Sequence, residues 1–351
     1  MYTEIYTFTG DYYMNYSPYT QFDPFCRSPF QIAMDEKHEL RKAANRTSFT
    51  ILASVFLVAI VTNILIIFYA RNGYFVYSMG SSSYGMPLIL FYLVNDVGYI
   101  TMAIPPLIYF SSSHMTTVHG LPFDKISPLT AVMCIIFGTA VCQLADIPAN
   151  VVSEIQKYFG FNGTLPQLPV SNDPVVLLLY FLFFSVIAPL VEEMIFRGAV
   201  LQSLRRFGDG FAVFCSALLF GLYHGNFVQM VFAFIAGLVM AYVDLRTNSL
   251  LPSLFIHFAN NFIASALDVV QKNFGVTVTN NTAEVIFLVT VILGAGAFIY
   301  LLIKKKFFRR SSRQMLLPLS SRFSAFFSNP GVICMLLYFA FSSVAVLYNH
   351  I

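Results

Sequence analysis

"PLVEEMIFRGAV", Pro189 to Val200, places two adjacent carboxylates and an arginine inside an apolar run. About 20 predominantly apolar residues cross a bilayer's hydrocarbon core, and the run around this stretch is longer than that. Ionisable groups at such depth cost roughly 2.5–3.5 kcal/mol each on insertion scales, and they persist where they face a cavity or a partner. Glu193 and Arg197 are four residues apart, so they share a helix face and are expected to pair, with the Glu on the favourable N-terminal side. Glu192 points about 100° away at the helical period and is left free to face a cavity. Pro189 removes a backbone hydrogen bond just before the acid pair, which predicts a kink there. The blander alternative is a helix end dipping into interfacial water, with Arg197, Arg205 and Arg206 as ordinary inner-face anchors.

Composition agrees with a membrane setting. Of 351 residues, 57% are hydrophobic and 11% charged, against about a quarter charged in soluble domains. The mean hydropathy is +0.70. The expected fold is all-α, a polytopic transmembrane helical bundle of about nine spans near 48–70, 86–110, 128–150, 174–206, 211–226, 228–244, 250–271, 283–303 and 330–350. The fourth is too long for a simple span, and the fifth and sixth are short enough to form a tight hairpin. Lys37, Arg41, Lys42 and Arg46 precede the first span and predict a cytoplasmic N-terminus. Alternation then puts Arg205, Arg206, Arg246 and "KKKFFRR" (Lys304 to Arg310) inside, and Arg71, Lys157, Lys272 and the C-terminus at Ile351 outside. The glycosylation-type sequons in "FNGTLP" and "NNTAE" fall outside as well.

This divides the chain into five parts. Residues 1–47 are a polar cytoplasmic segment, and its charged end, "MDEKHELRKAANRT", reads as a short helix on the membrane surface. Residues 48–155 hold the first three spans, 174–303 a core domain with its motifs in 174–272, 304–329 a basic cytoplasmic loop, and 330–351 a last span. The polar, tyrosine-rich start has neither a basic opening nor a short apolar core, so a secretory signal is not expected. A net charge of +3 argues for no nucleic-acid partner. The five cysteines are scattered, with no CxxC pair, and read as small hydrophobes.

The acid pair has company. His224 lies in "FGLYHGNF", and His257 and Asn261 share a face of "SLFIHFANNF". Glu192 and His224 are equally distant along the chain from Gly208, in the turn joining their helices, so they are expected at similar depth; His257 is expected slightly shallower. Such a set can activate water. A carboxylate taken out of water holds protons more tightly and can act as a general base. Imidazoles can polarise a carbonyl, hold the water or ligate a metal, and an amide such as Asn261 can donate to an oxyanion. HExxH does not occur. Even so, Glu192, His224 and His257, from three helices, have the composition of a Zn2+ site. A metal-free carboxylate and imidazole site is the alternative.

At these residues the chain resembles the type II CAAX prenyl endopeptidases and their bacterial relatives, the CPBP intramembrane proteases. "EEMIFR" fits EExxxR, "FGLYH" fits FxxxH and "HFANN" fits HxxxN, in that order. The resemblance implies an intramembrane peptidase acting near the cytoplasmic face on a peptide or membrane-protein substrate, in a bacterial plasma membrane or, in a eukaryote, the endoplasmic reticulum. It implies Glu192 as the water-activating base and Glu193 as its supporting acid paired with Arg197. Phe220 would pack beside the site, and His224, His257 and Asn261 would hold water or metal and stabilise the oxyanion. Two other functions fit the composition. One is a catalytically silent scaffold or immunity protein of the same fold. The other is a proton-coupled transporter, against which stands the lack of an inverted repeat. Asp96, Asp146 and Asp268 match no motif and are expected to cap helices or line cavities.

Overall fold

The structure is a computed structural model and describes residues 28–78, 81–113, 120–161, 168–304 and 315–348. Cys26, the sequon at Asn162, most of "KKKFFRR" and Ile351 lie outside these residues. Among the described residues everything regular is helical, apart from one antiparallel bridge between Phe123 and Ser249.

Helix α1, Pro29–Arg71, begins at a reciprocal cap. The Ser28 side chain accepts from the Gln31 N–H at 3.2 Å, and the Gln31 side chain accepts from the Ser28 N–H at 2.8 Å. It then runs 43 residues without interruption. The separate surface helix expected before the first span is therefore absent: no Gly or Pro follows Pro29 before Arg71 to break the helix. The second expected span is instead divided, into α2 (Leu88–Thr101) and α3 (Ile104–Ser112). Pro105 and Pro106 supply no N–H to bond back across that junction. Then come α4 (Pro128–Tyr158), α5 (Pro174–Arg205), α6 (Asp209–Tyr223), α7 (Phe227–Thr247), α8 (Leu250–Ile303), α9 (Leu319–Phe327) and α10 (Pro330–Tyr348).

Among the described residues seven helical stretches are long and apolar enough to cross a membrane, α2 and α3 together making one of them, and α6 is a shorter apolar helix. The protein is an integral membrane protein. Helix α8 counts twice. Its Gly275 has φ 79° and ψ 173°, outside any helical geometry and accessible without strain only to glycine. Ile256 and Gly294 stand equally far on either side of it. A Cβ at Gly138 of α4 would lie 2.2 Å from the Ile256 side chain, and one at Gly294 would lie 2.2 Å from Ala140 of α4. Both arms thus return to one short stretch of α4, so the chain reverses at Gly275. With this reversal and α6 included, the helical segments match the expected nine. Gly294→Val would drive a branched side chain into Ala140 and is expected to cost about 1–3 kcal/mol, as overpacking does. Thermal melting in detergent reads this, and an unchanged melting temperature would mean the second arm does not pack on α4.

The first and last described helices are built into the bundle. Val332 and Met335 of α10 are fully buried, and Asn329 Nδ2 donates to the Arg41 carbonyl of α1 at 2.7 Å. Within the basic loop, α9 buries Phe326, Arg322 donates to the Phe207 carbonyl at 2.5 Å, and the Leu317 N–H reaches Glu36 at 2.8 Å. The last helix therefore completes the core around α1 and α6. Cys134, Cys142 and Cys215 are buried and free, as small hydrophobes would be.

Candidate active site

Helix α5 widens into π winding twice. It is α-helical over Pro174–Phe181, π-helical over Leu182–Ile187, α-helical over Ala188–Glu193, and π-helical again over Met194–Leu201. The first wide turn lies directly before Pro189, where the sequence predicts a kink. In the π register the N–H of residue 189 would meet the carbonyl of Phe184. Proline has none, and Asn261 Nδ2 donates to that carbonyl at 2.9 Å. The second wide turn is satisfied in the same manner: Ser216 Oγ donates to the Phe196 carbonyl at 2.7 Å and Gln202 Nε2 to the Arg197 carbonyl at 3.2 Å. Side chains from α6 and α8 thus hold the acid pair's helix in an unusual winding, a common feature of functional sites.

Within that frame the acids occupy different surroundings. Glu193 is 0% exposed and Arg197 1%, and their ion pair closes at 3.0 Å. The Arg197 guanidinium also lies over the Phe220 ring, 4.6 Å from its centroid. His257 joins both acids. Its Nδ1–H donates to Glu193 Oε1 at 3.0 Å, while its Nε2 stands 3.6 Å from Glu192 Oε2. Phe220 packs edge-on to His224 and His257, with centroids 5.0 and 5.7 Å away. His224 ends α6, where Gly225 turns the chain with φ 67°. Its Nδ1–H donates to the Phe220 carbonyl at 2.8 Å, since a carbonyl can only accept. Helix α10 braces this turn: Tyr338 donates to the Tyr223 carbonyl at 3.2 Å and Ser343 to that of Gly225 at 3.3 Å.

Glu192, Glu193, Arg197 and His257 are therefore brought into direct contact or near contact. His224 reaches the group through the Phe220 ring, which also packs on His257. Asn261 is placed against the backbone of α5, with one of its two amide protons committed to Phe184. Two residues absent from the sequence reading also belong here. Tyr99 of α2 donates to Glu192 Oε1, and its oxygen lies 2.6 Å from the Tyr223 hydroxyl. Tyr223 sits next to His224, and that adjacency was its only local signal. Tyr99 had a weaker one, a hydroxyl seven residues after Tyr92 and three after Asp96 on the same face of an apolar helix. Asp244 is a third omission: it is fully buried and accepts from Gln202 Nε2 at 2.8 Å. Of the other acids, Asp268 accepts from the Tyr180 hydroxyl at 2.6 Å, Asp96 is buried, and Asp146 is exposed along α4.

Both histidines hold their Nδ1–H on an oxygen acceptor and keep Nε2 for water or a metal, the usual outer arrangement of metal-bound imidazoles. Three donors do not converge, however. Among the described residues no group of three or more His, Cys, Asp or Glu side chains is placed to hold a metal ion. The tautomers suit Zn2+, but the spacing of Glu192, His224 and His257 does not provide its ligand set.

The family model described as "Type II CAAX prenyl endopeptidase Rce1-like" matches residues 174–263, the stretch that holds all three motifs. No curated protein and no solved structure matches the chain.

Proposed function

We propose that this membrane protein is an intramembrane endopeptidase of the type II CAAX prenyl endopeptidase kind, hydrolysing a peptide bond with water activated by Glu192. One observation carries this reading. Glu192 Oε2 and His257 Nε2 face each other at 3.6 Å, too far for a direct hydrogen bond and close enough for one water beside the pair to reach both. His257 Nδ1–H is meanwhile anchored on Glu193, which pairs with Arg197. That anchor leaves Nε2 as an acceptor, so water is oriented by His257 and gives its proton to Glu192. The oxygen adds to the substrate carbonyl, and the resulting oxyanion is met by the remaining amide proton of Asn261. The proton on Glu192 then passes to the leaving amine as the C–N bond breaks. The substrate is a peptide or membrane-protein segment entering from the lipid or the cytoplasmic side. The family's description points to prenylated CAAX tails as the first class to test, with unmodified membrane peptides as the bacterial counterpart.

Zn2+ is not given a role in this scheme, because three ligands do not converge. Strong chelation of the purified protein, with elemental analysis of the product, is expected to leave cleavage of a peptide library unchanged. Activity lost on chelation and restored by zinc in wild type, but not in His224→Ala or His257→Ala, would overturn the metal-free scheme. A folded wild type that cleaves no peptide in prenylated and unmodified libraries would instead favour a silent scaffold of the same fold.

A further inference from the structure

The matched segment ends at residue 263 and begins at residue 174, so α2 lies outside it. From that helix Tyr99 reaches into the site. We infer that Tyr99 is a positioning residue for the base, fixing Glu192 in the rotamer that turns Oε2 toward His257. This inference rests on the peptidase reading for its consequence, though not for its geometry.

The donor logic has one solution when Glu192 is ionised. A carboxylate only accepts, so the single proton of Tyr99 goes to Glu192 Oε1. The Tyr99 oxygen is then left to accept, and the Tyr223 hydroxyl lies 2.6 Å from it. The chain Tyr223, Tyr99, Glu192 joins α6, α2 and α5 at the acid. It also divides the two carboxylate oxygens, with Oε1 capped by a phenol and Oε2 open toward His257 Nε2 at 3.6 Å. The Tyr99 ring is held independently, edge-on to Phe183 at 5.3 Å, so its packing does not depend on the hydroxyl.

The clamp matters because the same helix carries a competing donor. Arg197 is buried, and its Nε, Nη1 and Nη2 have no hydrogen-bond partner among the described residues despite the ion pair to Glu193. Arg197 lies five positions after Glu192 on the same helix. An unclamped Glu192 therefore has a donor-rich guanidinium within its own helix. A base turned to Arg197 is neither aimed at water nor basic enough to take its proton.

The test uses the full chain in detergent, with internally quenched peptide libraries as substrates. Tyr99→Phe keeps the ring and loses the hydroxyl. It is expected to lower kcat about 10- to 100-fold, the scale of a misplaced reacting group, with KM unchanged within about twofold. Added to Glu192→Gln, it should cost nothing further. A wild-type kcat in Tyr99→Phe, or a full additional loss in the double variant, would overturn the clamp. Infrared difference spectra give a readout independent of turnover. The carboxylate band that disappears in Glu192→Gln should shift in Tyr99→Phe and, to a smaller extent, in Tyr223→Phe. An unmoved band refutes the clamp whatever the activity. A shifted band in a protein that cleaves no peptide supports the clamp and rejects the peptidase reading.

Discussion

Glu192→Gln abolishes hydrolysis while the protein folds and melts as wild type. The amide keeps the shape of the acid and its place among Tyr99 and His257. Tyr99 still donates to the remaining carbonyl oxygen, and the new –NH2 faces His257 Nε2, which accepts. What disappears is the carboxylate that takes the proton from water. Loss of a positioned general base lowers rates by about 10²–10⁴-fold. Cleavage by the variant at near wild-type rate, measured on the peptides that wild type cuts, would remove Glu192 from the mechanism.

Glu193→Gln behaves in the opposite way. Its effect falls first on stability, because Arg197 is 1% exposed and loses the carboxylate 3.0 Å away. Breaking a buried pair on one side leaves a charge without its partner, at a cost of roughly 3–5 kcal/mol. The Phe220 ring beneath the guanidinium compensates only in part. The glutamine oxygen can still accept from His257 Nδ1–H, so the chemistry suffers less than the fold. The measurement is a melting curve beside a cleavage rate, for both acid variants in the same detergent. If Glu192→Gln melted early and Glu193→Gln lost only activity, the two acids would have to exchange roles.

The lateral span expectations illustrate where sequence reading stops. Apolar runs reveal helices because each must hide its own backbone in lipid, which is a local requirement. They do not reveal whether two runs form one rod. Residues 29–71 became one because nothing between them breaks a helix, while Leu88–Ser112 became two at a proline pair. Residues 250–303, which the sequence divides into two spans, form one run of helix broken at a glycine of positive φ, and the return of Ile256 and Gly294 to the same part of α4 agrees with the expected reversal.

The sequence by itself determined that the chain is a helical membrane protein, that Glu193 pairs with Arg197, and that His224, His257 and Asn261 belong with the acid pair. Each of these follows from hydropathy, from a four-residue spacing on one helix, or from the motif resemblance. The tertiary structure alone decided that His257 bridges both acids, that Asn261 replaces the N–H missing at Pro189, and that Tyr99, 93 positions before Glu192, caps one of its oxygens. Those partners depend on the relative rotation and depth of packed helices. Helical periodicity gives a residue's face on its own helix, but the neighbouring helix that meets that face is chosen by side-chain packing across the bundle.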